Sequence, residues 1–391
     1  MKRIYLDWNA TTPLLPSVID AMTDAARSAW ANPSSSHAFG RAARARVEDA
    51  REAVAALAQC DPRDVVLTSG GTEANNVALR SAFCEIRGVL LTSRLEHPSI
   101  TRVAEALESE GRAVVRWVLV RPDGTIDLED LERATRTEGA RLLAIQAVNS
   151  ETGVIQPVRE AIALARRAHL RVHVDAVQAF GRLEDVAADA DTRSLAAHKI
   201  RGPKGIGALV GRPGIALAPV LVGGAQERGL RPGTSDPVAA AGLAVAARHA
   251  SGSWSRWRAL GPTRDALEMA VLRSCLGARV NAAGAPRAPH VASIAFPGWR
   301  GPELVAALDL EGLAVSSGTA CSAGTAEPSP ALLAMGDSAA AASTVRFSLG
   351  EDTTPLEIDA AIALLARVVP RSCSEPRGSC SEARGQRPPL P

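Results

Sequence analysis

Apolar residues fall along this chain in two alternating textures. Ala43, Val47, Ala50, Val54 and Leu57 recur at steps of four and three, the spacing that gathers side chains on one buried helix face. The run Val65-Val-Leu-Thr68 that follows reads as a strand. The cycle returns at Gly88–Thr92, Val114–Val120, Leu142–Val148 and Val172–Asp175, and helices are predicted between them over 73–86, 98–110, 127–137 and 158–169. Short strands separated by helix-length segments call for an α/β fold, with a mostly parallel sheet covered on both faces. After Gly233 the texture changes. An alanine-rich helix is predicted over 237–250, and strands such as His290–Phe296 and Val345–Leu349 are then fewer and more widely spaced. A domain boundary is expected near 255. Residues 371–391, rich in Pro, Ser, Gly and Arg and without periodicity, are expected to form a disordered tail.

Composition narrows the function classes. A chain of 391 residues, 46% hydrophobic and 22% charged, has the makings of a soluble enzyme with one large core or two unequal ones. Its 44 basic and 42 acidic side chains leave a net charge of +2, which gives no reason to expect nucleic acid or an anionic membrane as partner. A small-molecule substrate is the expectation. Asp7 arrives before any apolar stretch, and the longest apolar run, 238–247, is about half of what spans a bilayer. A cytoplasmic location is therefore expected. The six cysteines (60, 84, 275, 321, 373 and 380) form no CxxC pair, so reduced thiols are expected rather than a disulfide framework or a zinc site.

Several residues carry chemistry. Lys199 stands at a glycine-rich turn, His198-Lys-Ile-Arg-Gly-Pro-Lys-Gly205, where an amine can form a Schiff base with an aldehyde cofactor. Cys321 lies in Ser317-Gly-Thr-Ala-Cys-Ser-Ala-Gly324, the composition of a flexible polar loop; a small buried apolar thiol is the alternative. Thr68-Ser-Gly-Gly-Thr-Glu73 follows a strand and opens a helix, so Gly71 and Thr72 suit a phosphate cradle, or else a purely structural turn. Asp175 ends a strand, either as a satisfied core acid or as the partner of a protonated pyridine nitrogen, with Gln178 then near the ring's phenolic oxygen. His97 follows a strand's carboxyl end, a place for a ring-stacking group that moves protons. Arg346, flanked by apolar residues, needs an anion: a substrate carboxylate or a structural salt bridge.

Ten motifs in register between residue 5 and about 370 resemble the NifS/IscS-type cysteine desulfurases. They are Tyr5–Pro13, Asn32–Gly40, Thr68–Glu73, Asn149–Gly153, His173–Gln178, His198-Lys199, Gly202–Gly205, Glu227–Thr234, Ser317–Cys321 and Val345–Gly350. The resemblance implies the aspartate-aminotransferase fold, with a large pyridoxal-phosphate-binding domain over 14–255 and a smaller α+β domain from 1–13 and 256–370 carrying the cysteine loop. It implies a homodimer that converts L-cysteine to L-alanine and leaves a persulfide on Cys321. The sulfur would pass to an acceptor protein for iron–sulfur cluster or other thio-cofactor assembly. By the same resemblance Lys199 anchors the cofactor and moves the substrate's α-proton, and His97 stacks on the ring. Asp175, Gln178 and Ser150 would face the ring, while Gly71, Thr72, His198 and the partner's copy of Thr234 would bind phosphate. Arg346 would grip the substrate carboxylate, with Asn32 nearby. No resident metal is implied; Cys321 is left open as a transient iron–sulfur ligand. Two positions depart from the family pattern: Ser150 replaces an asparagine, and Ala196 replaces a serine three residues before the lysine. Weaker cofactor retention is expected from these departures, the first near the ring oxygen and the second at the phosphate. The alternatives are a selenocysteine lyase or aminotransferase-like relative, for which Cys321 would be dispensable, and a non-catalytic paralogue that acts by binding.

Overall fold

The structure, a computed structural model, describes residues 3–184, 187–318 and 328–369. Cys321, Cys373, Cys380 and the 371–391 tail lie outside the described residues. Seven strands form the main sheet. In spatial order they are Val65–Thr68, Gly207–Gly211, Thr192–Ala196, Arg171–Asp175, Ala140–Gln146, Gly88–Ser93 and Ala113–Val118. Gly207–Gly211 runs antiparallel to both neighbours, and the other adjacent pairs are parallel. The sheet is thus mostly parallel, as the pattern predicts.

Alternation within each strand explains why these runs read as continuously apolar. Val65, Leu67, Val89, Leu91, Leu143 and Ile145 enter one core, while Val66, Leu90, Leu142 and Ala144 enter a second on the opposite face. Helices cover both. Ala38–Ala58 lays Ala43, Val47, Ala50 and Val54 inward, and Gly71–Ala82 and Pro98–Ser109 close the other face. The predicted helix over 237–250 forms as Pro237–Ala250, capped by Asp236, whose carboxylate accepts from Val238 and Ala239 N–H at 2.8 and 3.1 Å. Val114–Val120 stops two residues early, because Leu119 N–H is taken by the buried carboxylate of Asp130 at 2.9 Å.

A further core joins the start of the chain to its end. Ile4, Leu6 and Trp8 pack with Trp257, Leu260, Leu267, Ile294, Phe347, Leu365 and neighbours. Here Val291–Ala295 pairs antiparallel with Thr344–Ser348 and with Arg279–Val280, and Ile4–Tyr5 pairs in parallel with Leu313–Ala314. Gly350 is required by this arrangement, since a Cβ there would lie 1.8 Å from the Trp8 ring. The segment after Trp8 then crosses to the main sheet, where Thr12 Oγ1 donates to the His198 carbonyl at 2.9 Å. Among the described residues no helix is long and apolar enough to cross a membrane.

Candidate active site

The carboxyl ends of the parallel strands converge on one cavity. Gln146, Asp175 and Ala196 each end a strand and line it; Gly71, Thr72 and His97 come from the turns after two others. Open α/β sheets bind ligands at this edge, because the backbone groups leaving the strands turn outward there. Asn9, Ala10, Ser150, Val177, Gln178, His198, Lys199 and Arg346 complete the lining together with Asn75, Ser99 and Val148. Nine of the residues expected from sequence are therefore brought together. Asn32 and Thr234 are exposed and stand outside this cavity, and Cys321 is outside the described residues.

Asp175 is buried and fully braced. Its Oδ1 accepts from Val177 N–H at 3.1 Å and Ser194 Oγ at 3.2 Å, and its Oδ2 accepts from Asn75 Nδ2 at 2.8 Å. Asn75 is itself held by His173, whose Nε2 lies 2.9 Å from Asn75 Oδ1 and whose Nδ1 lies 2.9 Å from Thr192 Oγ1. Burial pushes the His173 imidazole down to about 4, against the opposing pull of Asp175, so this ring stays neutral at physiological pH. Sequence reasoning passed over Asn75. Its position four residues after Gly71 on the same helix puts both on one face, which is the signal that could have found it.

His97 caps the helix Pro98–Ser109. Its Nδ1 accepts from Ser99 N–H at 3.1 Å and lies 2.8 Å from Ser99 Oγ, which accepts from Asn75 Nδ2 at 2.8 Å. Burial, and the charge of Lys199 in addition, lower its pKa against the pull of Asp175. His198 is pushed down to about 4 by burial and by the nearby Lys199, Lys204 and Arg182 charges. Beneath it the Lys199 ammonium donates to the carbonyls of Asn9 and, at 2.9 Å, of Ala10. Gln178 Nε2 donates to Asn9 O at 3.1 Å, while the buried Arg182 donates to Gln178 Oε1 and, at 2.9 Å, to the Lys199 carbonyl.

Arg346 is 2% exposed and closes the cavity from the other core. It donates to Asp7 Oδ1 at 2.5 Å and to the Ser150 carbonyl at 2.9 Å; its Nε is buried without a partner. No local spacing marks Asp7 as its counter-ion. At the opposite end Gly70, at φ +151°, precedes the helix Gly71–Ala82, whose first N–H groups open on the cavity. A Cβ on Gly71 would strike Val177 at 2.5 Å, so only glycine lets the backbone come this close.

These residues fit pyridoxal phosphate. An amine for its aldehyde, a braced carboxylate for its ring nitrogen, and a glycine cradle at a helix N-terminus for its phosphate all face one space. Among the described residues no group of three metal-ligating side chains could hold a metal ion.

Comparison with known proteins agrees with this geometry. The signature of the family described as Aminotransferase class-V matches residues 4–361. A protein of Nostoc sp. named cysteine desulfurase is 37% identical over 381 residues, which is 95% of this chain and 94% of that protein. A solved structure titled NifS-like protein superposes with a TM-score of 0.86 at 31% identity, covering 94% of this chain and 99% of that one. A second, titled SspA in complex with cysteine, does so at 0.78 and 30% identity, over 88% and 98%.

Proposed function

We propose, from the premise that this chain belongs to the aminotransferase class-V family and is a pyridoxal-phosphate-dependent cysteine desulfurase, the following division of labour among its residues. What carries it is the meeting of Lys199, Asp175, His97, Gln178, His198 and Arg346 around one cavity from four separate stretches of chain.

Lys199 would bind the cofactor aldehyde and move the proton at the substrate's Cα. Asp175, its second oxygen held by Asn75, would face the ring nitrogen. Gly71, Thr72 and His198 would hold the phosphate. Ser150 and Gln178 would face the ring edge, and His97 its plane. Thr234, exposed on its own chain, would serve the cofactor of a second copy. What the bound cofactor supplies is a sink for the electrons released at the substrate carbon. Arg346 would exchange Asp7 for the cysteine carboxylate, a planar fork onto two oxygens, with Asn32 in support.

Cys321, as thiolate, would attack the substrate sulfur. The new S–S bond forms as the Cβ–S bond breaks; the latter's electron pair stays with carbon, and protonation there completes the methyl group of alanine. A homodimer, with a large domain over 14–255 and a small one from 1–13 and 256–370, passing sulfur to a scaffold or carrier protein in the cytoplasm completes the reading.

The test is direct. Holoenzyme incubated with L-cysteine should release alanine one-for-one with sulfur and carry a persulfide on Cys321; Lys199→Ala should do neither. Sulfide production that survives in Cys321→Ala would refute the assignment and favour a selenocysteine-lyase or aminotransferase-like reading. Sedimentation of the holoenzyme as a monomer would remove the homodimer.

A further inference from the structure

Arg182 stands behind the cavity wall and has no part in the roles above. It is buried one turn beyond Gln178, in a stretch where Phe180 N–H reaches the Ala176 carbonyl and Leu183 N–H the Ala179 carbonyl, at 3.1 and 3.0 Å. Gly181, at φ +72°, packs there so closely that a Cβ would fall 2.8 Å from that of Ala250.

Both terminal nitrogens of the Arg182 guanidinium are fully engaged. Nη1 donates to Gln178 Oε1 and, at 3.0 Å, to Asn9 Oδ1; Nη2 donates to the Lys199 carbonyl at 2.9 Å and to the Trp8 carbonyl at 3.3 Å. The guanidinium carbon also lies 4.6 Å from the centre of the Trp257 ring. Trp8 and Trp257 belong to the core that joins the start of the chain to its end, so the planar fork is clamped against that core as well.

Gln178 is thereby left one orientation. An arginine donates and never accepts, so the amide end that meets Arg182 must be the oxygen. The Asn9 carbonyl only accepts, so the end that meets it at 3.1 Å must be the nitrogen. That leaves the second Nε2 hydrogen for a group in the cavity that Gln178 lines. The same logic holds for Asn9: Oδ1 turned to Arg182 sends Nδ2 to the Ser150 carbonyl at 3.0 Å.

We propose that Arg182 is a positioning residue that locks the Gln178 amide with its donor end toward the cavity, so that Gln178 gives a hydrogen bond to the cofactor's phenolic oxygen and cannot turn its own oxygen there. The inference rests on the reading of Gln178 at that phenolic oxygen. Once Lys199 is joined to the cofactor aldehyde, the joined nitrogen holds a proton that the neighbouring phenolic oxygen accepts. A donor from Gln178 stabilises the charge on that oxygen and weakens its hold on the proton, which then leaves at lower pH. Without Arg182 the amide turns freely. With its oxygen inward it repels the phenolic oxygen, and the proton is held to higher pH.

The experiment follows the visible absorbance of the bound cofactor against pH, without substrate, in holoenzymes of the parent, Arg182→Met, Gln178→Leu and the double variant. Gln178→Leu should raise the midpoint of the transition by about one unit, the size of one hydrogen bond to a charged oxygen. Arg182→Met should raise it as well, partly through the amide and partly because a buried cation is lost. The second part survives when position 178 is leucine and the first does not. The rise caused by Arg182→Met should therefore be smaller by about half a unit or more in the Gln178→Leu background. Equal rises in the two backgrounds overturn the inference, as does a parental midpoint in Arg182→Met. Should Arg182→Met fail to fold, Arg182→Gln, whose amide can present either end to Gln178, makes the same comparison. A parental midpoint in Gln178→Leu would instead bring down the reading of Gln178 beneath it.

Discussion

Restoring a hydroxyl at position 196 should tighten cofactor binding, and the structure sets the size of the gain. Ala196 ends its strand against the cavity, 2% exposed, with its Cβ 3.8 Å from where a Cβ on Gly71 would sit. Ala196 lines the cavity next to the first turn of the helix Gly71–Ala82, so Ala196→Ser would add one atom at the cavity wall. A hydrogen bond to a charged group is worth about 1.5–3 kcal/mol net. Ordering the hydroxyl takes the lower end of that range, about 1.5 kcal/mol, or roughly tenfold in Kd. Apoprotein of each form would be titrated with pyridoxal phosphate while the bound cofactor's visible absorbance is followed. Because the phosphate takes no part in bond making, kcat at saturating cofactor should stay within about twofold. An unchanged Kd refutes the reasoning. So does a variant whose KM for cysteine shifts while its cofactor affinity does not, because position 196 would then face substrate rather than phosphate.

Three further outcomes follow from named contacts. Asn75→Ala strips one partner each from the buried Asp175 and His173, which should cost about 1–3 kcal/mol in a denaturant melt and lower turnover with it. Glu96 is buried, bonded to Ser93 Oγ at 2.7 Å, and pushed up to about 8 by burial, with Asp175 adding to the rise. An unfolded Glu96 releases its proton near 4.5 whereas the folded one keeps it to about 8, so stability falls as pH rises across that window; Glu96→Gln should flatten the fall between pH 5 and 8 in chemical denaturation. Arg346→Lys should raise KM for cysteine about tenfold or more while leaving cofactor affinity unaltered, since an ammonium cannot match a carboxylate with two parallel donors; equilibrium cofactor titration beside steady-state kinetics checks the pair.

Val65–Thr68 was legible because alternate residues feed two apolar cores, and Arg171–Asp175 because Val172 and Val174 both enter one of them. Thr192–Ala196 and Gly207–Gly211 were not legible, and the site explains why. Ser194 must be a hydroxyl to reach Asp175, and a Cβ on Gly207 would fall 2.4 Å from the Leu195 carbonyl. Cavity-side demands have replaced the β-branched residues that advertise a strand. Motif residues announced the cavity itself, but not its braces. Asp7 lies 339 positions from Arg346, and His173 lies 98 from Asn75, separations at which no local spacing speaks. Asn32 shows the converse. It stands in a motif, yet on its own chain it is exposed and its side chain bonds only Ser34 N–H, at 2.9 Å, among the hydrogen bonds described.

The lowered histidines decide how charge is divided in this cavity. His97, His173 and His198 are all held below their ordinary range, chiefly by burial, so at neutral pH none of them brings a positive charge. Attraction for a phosphate or a carboxylate then falls to the Lys199 and Arg346 cations and to the N–H groups of the helix Gly71–Ala82. A neutral His97 has a further property. Its Nδ1 accepts from Ser99 N–H, which leaves the ring proton on Nε2. The Ser99 hydroxyl accepts from Asn75, which also holds Asp175, so one amide braces the carboxylate and the serine that contacts His97. Loss of Asn75 should therefore disturb both faces of the ring site at once, whereas Ser99→Ala, which spares the Asp175 bond, should alter the pH dependence of turnover and leave cofactor affinity within about twofold. Equal losses in the two variants would show that His97 and Asp175 are braced independently of Asn75.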